Sequence, residues 1–144
     1  MPGSSPSLAE LAPGISAAGS LDREDIEALA RQGVRTIVNN RPDGEDLGQL
    51  PAGEARRLAE AHGIAYHHIP VTAASLTSGD VDAMATVLAE AEQPMVLHCR
   101  SGTRSTLLWA LVRLRDGEEP STLVDEAARQ GIDIAPLPVI ASRL

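Results

Sequence analysis

The stretch Pro94-Met95-Val96-Leu97-His98-Cys99-Arg100-Ser101-Gly102-Thr103-Arg104-Ser105-Thr106-Leu107-Leu108-Trp109 decides the fold, and it holds the only cysteine in the chain. Its first part is short, apolar and bounded by proline, as a buried strand is, and its last part is the start of an apolar helix. The segment between them is a strand-to-helix turn. A thiol at such a turn meets the positive end of a helix dipole and a set of backbone N–H groups without intrahelical partners. Arg100 and Arg104 add positive charge. Thiols in such settings ionise at roughly pH 3.5–7.5, and the thiolate is the nucleophile.

The same strand and helix signals recur on both sides of this stretch. Helices are expected over about 22–32, with Ser20 as N-cap, and over 52–62, 79–92, 104–116 and 121–130. Strands are expected over 14–18, 34–39, 64–71 and 94–99. Strands alternating with helices argue for an α/β domain with a mainly parallel central sheet flanked by helices. Residues 1–12, rich in Pro, Gly and Ser, are expected as a loose tail, and 13–144 as one catalytic domain. In such sheets ligands bind beyond the carboxyl ends of the strands. The loops 40–50, 72–78 and 100–104 all fall there.

Bulk properties narrow the function. The chain has 144 residues, of which 43% are hydrophobic, enough for one independent core. The net charge of −8 argues against nucleic acid and anionic membrane surfaces as partners. No run is long and apolar enough for a membrane span. All basic residues are arginine, so lysine Schiff-base chemistry is excluded. The histidines and the single cysteine lack zinc-ligand spacing, and neither a metal nor a cofactor is expected. The first residues lack a basic start and an apolar signal core, so secretion by that route is not expected, and a lone reactive thiol suits a reducing cytoplasm.

The candidate catalytic residues are Cys99 and Arg104. Arg100, Ser101, Gly102, Thr103 and Ser105 form the anion-binding loop around them. Gly102 allows the backbone to curl, Arg104 is suited to a two-pronged contact with an oxyanion, and Ser105 is placed to donate to the thiolate or cap the helix. Arg41, Asp43, His98 and Thr72 are candidate pocket residues. Arg41 would meet substrate, Asp43 would orient Arg41 or Arg104, and His98 would brace the loop. Taken alone, Cys99 reads as a small buried hydrophobe and Asp43-Gly44 as an ordinary turn; the whole string argues for chemistry.

The string from His98 to Ser105 resembles two cysteine loops: that of the rhodaneses, whose cysteine carries a persulfide, and that of the cysteine phosphatases. The phosphatase signature has five residues between Cys and Arg, whereas here there are four. The wider chain resembles the bacterial phosphatase-like domain family of the β-lactamase-hydrolase-like proteins. Thr36-Ile37-Val38-Asn39-Asn40-Arg41-Pro42-Asp43-Gly44-Glu45, His68-Ile69-Pro70-Val71 and the Cys99 loop carry that likeness. The resemblance implies a dual-specificity-phosphatase fold and either of two activities.

Phosphatases of that fold carry an acidic residue in the loop before the helix preceding the motif, and here the matching position is Ala73. The missing acid and the shorter loop favour a sulfurtransferase. In that reading Cys99 takes the outer sulfur of thiosulfate or a persulfide, and an acceptor thiol or protein removes it. The alternative is a phosphatase acting on a phosphate ester through a phosphocysteine, with water or Asp43 supplying the proton. The second alternative is an inactive anion- or partner-binding module.

Overall fold

The computed structural model describes residues 5–144. Five strands form one sheet: β1 (Ala9–Ala12), β2 (Ile15–Ala18), β3 (Thr36–Asn39), β4 (Ala65–His68) and β5 (Met95–His98). Their order is β1-β2-β5-β3-β4, with β1 antiparallel to β2 and every other pair parallel. The strand that precedes Cys99 is therefore central. All four residues of both β3 and β5 are buried, as expected of parallel strands covered on two faces.

The helices are α1 (Arg23–Arg31), α2 (Ala52–Ala61), α3 (Ser78–Glu90), α4 (Thr103–Arg115), α5 (Pro120–Arg129) and α6 (Leu137–Ser142). Successive strand side chains alternate between faces. Ile37 and Val96 pack with Ile26, Leu29 and Ala59 of α1 and α2. Val38 and Leu97 pack with Leu108, Trp109 and Met84 on the other face. Helix α4 is buried continuously from Ser105 to Val112, because it lies between the sheet and the surrounding α3, α5 and α6. The segment that begins with the cysteine loop is thus the most enclosed helix of the domain.

Several boundaries differ from expectation. Of the expected loose tail, residues 1–4 lie outside the described residues, while Ala9–Ala12 form the edge strand β1. The Pro13-Gly14 turn returns the chain antiparallel into β2. The N-cap of α1 is Asp22 rather than Ser20: Asp22 and Asp25 exchange backbone hydrogen bonds in a capping box. Ser20 turns to the cysteine loop instead. Among the described residues, no helix is long and apolar enough to cross a membrane.

Candidate active site

The cysteine follows β5 directly. Its N–H donates to the Ala18 carbonyl of β2 (3.3 Å), so the loop leaves the sheet in register. Gly102 has φ +91° and folds the chain back, so that its N–H donates to Cys99 Sγ at 3.1 Å. That positive φ favours glycine on conformational grounds. The Gly102 carbonyl then accepts from both the N–H and the hydroxyl of Thr106, starting α4. On the β2 side Gly19 is required by close approach, since a Cβ there would stand 3.1 Å from the Arg100 carbonyl. That carbonyl also accepts from the Ser20 N–H (3.2 Å) and hydroxyl (3.3 Å). Cys99 is fully buried.

A chain of alternating charges covers the loop. Arg104 Nη1 donates to Glu45 Oε2 (2.7 Å) and to the Val71 carbonyl (2.9 Å), and Nη2 donates to Glu45 Oε1 (2.8 Å). Three of its five N–H groups are thereby used. The two that remain, on Nε and Nη2, share one edge of the planar group and form a fork. Glu45 also accepts from Arg41 Nε (3.0 Å). Arg41, itself buried, reaches Asp46 and the Ser20 hydroxyl (3.2 Å). Asp46 pairs in turn with Arg100 Nε (3.0 Å), whose side chain is mostly exposed.

These contacts shape the ionisation of the site. The Arg104 hydrogen bonds, followed by those of Arg41, hold the Glu45 carboxyl down at about 2. The same pairing raises Arg104, with the Cys99 side chain contributing to the rise.

The structure brings Cys99, Arg100, Arg104 and Arg41 together, and it sends other expected residues elsewhere. Asp43 orients neither arginine. Its Oδ1 accepts from the Ala52 N–H (2.9 Å) at the start of α2. Ser105 donates to Asn40 Oδ1 (2.8 Å), not to sulfur, and Asn40 Nδ2 donates to the Ile69 carbonyl (3.0 Å), so one buried asparagine ties the start of loop 40–50 to α4 and to the chain leaving β4. Thr72 closes its own turn with Ser75 (2.9 Å). Ser101 and Thr103 bond each other on the exposed rim (3.2 Å). Only the Val71 carbonyl at the start of the 72–78 loop reaches Arg104. Glu45, Asp46, Ser20 and Asn40 were not among the sequence candidates. Among the described residues, no cluster of His, Cys, Asp and Glu is placed to hold a metal ion.

His98 is buried under the loop, and its Nδ1 has no partner among the described residues. Burial pushes its imidazole down to about 4, against the opposing pull of the Cys99 backbone. The unfolded chain therefore binds this proton first. Stability from His98 is complete above about pH 6.5 and is lost as the pH falls towards 4, by roughly 3 kcal/mol in all. Urea unfolding at pH 7 and pH 4.5 should show this loss. His98→Gln should flatten that part of the pH dependence, and equal slopes for the two proteins would refute it.

Known proteins share this arrangement of chain. Residues 7–116 match the family described as beta-lactamase hydrolase-like protein, phosphatase-like domain. A beta-lactamase hydrolase-like protein of Agrobacterium fabrum is 37% identical over 111 residues, covering 76% of this chain and 26% of the relative. The chain spans about a quarter of the length of the curated relatives it matches. A candidate phosphatase from Neisseria meningitidis superposes with a TM-score of 0.84 at 28% identity, over 94% of this chain and 97% of that one. A kinase-associated phosphatase, solved with its catalytic-site cysteine replaced by serine, shares the fold (TM-score 0.66, 18% identity, 93% and 90% covered). The architecture is that of the cysteine phosphatases, and the chain belongs to the phosphatase-like domain family of the beta-lactamase hydrolase-like proteins.

Proposed function

We propose that this domain is a cysteine-dependent phosphatase. The observation that carries the proposal is Arg104 at the end of the Cys99 loop, held in place by Glu45 and the Val71 carbonyl with its Nε–H and one Nη2–H outside those bonds. A planar fork of two N–H groups matches two oxygens of a phosphoryl group. The guanidinium would stabilise the charge that the equatorial oxygens carry in the transition state. Cys99 attacks phosphorus, a sulfur–phosphorus bond forms and the ester oxygen leaves. Water then attacks the phosphocysteine, releasing inorganic phosphate and the thiolate. Membership of a phosphatase-like family supports this order of preference over sulfur transfer, which sequence alone ranked first.

Sulfur transfer stays as a second reading because of the four-residue spacing from Cys99 to Arg104 and the absence of a carboxylate in the 72–77 loop. A shorter loop suits one sulfur atom, and sulfite departs without a proton. One preparation decides between the two readings. Release of inorganic phosphate from p-nitrophenyl phosphate, with no mass gain after thiosulfate, is the expected result. No phosphate release, together with a gain of one sulfur atom on the intact protein, would reverse the assignment.

A further inference from the structure

The acidic side chains that border the site are all engaged as acceptors. Glu45 accepts from two arginines. Asp46 is shared between Arg41 and Arg100. Asp43 is bound to the first N–H of α2, and Asp80 to the N–H and hydroxyl of Thr77 in the capping box of α3. The turn that follows Val71 presents Thr72 and Ser75 bonded to each other, with the methyl groups of Ala73 and Ala74 between them.

The other proton carriers are bonded or buried. The His68 Nε2–H donates to the Arg41 carbonyl (2.9 Å). His98 lies buried under the loop, and the Tyr66 hydroxyl is buried and accepts from Asn39 (2.8 Å). Carboxylates that accept from arginine are held in the charged form and have no proton to donate. The low Glu45 value agrees with this geometry.

We infer that this site transfers phosphoryl groups without a general acid, and that its substrates carry leaving groups that depart as stable anions: acyl phosphates, phosphoanhydrides and phosphates of acidic phenols. The inference rests on the phosphatase reading above. In the first step the Cys99 Sγ–P bond forms, the P–O bond breaks, and the electron pair stays on the departing oxygen, which leaves unprotonated. In the second step water attacks phosphorus, the thiolate takes back the S–P electron pair, and the water's proton passes to solvent. Neither step needs an oxidant, a reductant or a metal-bound reactant. Alkyl phosphates, which expel a strongly basic alkoxide, are poor substrates on this account.

The test is kcat/KM, which reports the steps through the first irreversible one, for p-nitrophenyl, phenyl and acetyl phosphate on one preparation. A positioned acid is worth about 10²–10⁴ in rate. Phenyl phosphate should therefore be slower than p-nitrophenyl phosphate by about that factor, with acetyl phosphate among the fast substrates. Glu45→Gln and Asp46→Asn should each change the p-nitrophenyl and phenyl rates by the same factor. A flat dependence on the leaving group overturns the inference and leaves the phosphatase assignment standing. So does a variant that loses phenyl phosphate turnover selectively. If no member of the series is hydrolysed, the assignment and the inference fall together.

Discussion

Replacing Cys99 by serine is expected to lower phosphate release by at least about 10³-fold while leaving the fold intact. The substitution keeps a small side chain at a fully buried position and exchanges the sulfur that Gly102 N–H contacts for a hydroxyl oxygen. Secondary structure and melting should therefore change little. The chemistry changes greatly, because a serine hydroxyl at neutral pH is a far weaker nucleophile than a thiolate, and the carboxylates that border the site already accept other hydrogen bonds. Acid quench of the unsubstituted protein during turnover should trap one phosphoryl group on the polypeptide, and the serine variant should trap none. A variant that kept a tenth of its activity would remove Cys99 from the reaction.

Arg104→Lys is the second large effect, a loss of about 10²–10³ in kcat/KM. Lysine keeps the charge but not the plane. Arg104 uses three donors on Glu45 and the Val71 carbonyl and still keeps a fork of two N–H groups outside those bonds. An ammonium group has three donors in all, on a flexible stem, and cannot satisfy the carboxylate, the carbonyl and two substrate oxygens together. Competitive inhibition by inorganic phosphate should weaken along with kcat/KM. Equal rates for the two proteins would show that charge alone suffices and that the fork has no part.

Much of this site could be read from one line of sequence. The strand, cysteine loop and helix at 94–115 have distinct local signatures, and the alternation of elements implied the parallel sheet. Gly102, Arg100 and Arg104 carry their roles in their residue types. The partners of Arg104 did not show. Glu45 lies 59 positions away, inside a segment whose Pro-Asp-Gly text is fully explained by turn chemistry, and nothing local distinguishes a carboxylate that caps a helix from one that holds a guanidinium. Asp43 fits that task by sequence alone, but it serves α2 instead. Asn40 joins α4 to the chain leaving β4 through contacts that depend on tertiary position alone. Strand β1 was overlooked because four residues of low β-propensity gain their order from pairing across the Pro13-Gly14 turn.

Helix α4 has a consequence for how this protein can be tuned. Its whole circumference is occupied by neighbours, so the flank of the site that carries Arg104 is fastened to the interior. The opposite flank hangs on side-chain charges: Glu45 and Asp46 sit between Gly44 and Gly48, next to a completely solvent-facing Leu47. On the phosphatase reading, adaptation to new substrates is therefore easiest on that second flank. A handful of exchanges there would redraw the charged rim over the cysteine loop while the buried half stayed as it is.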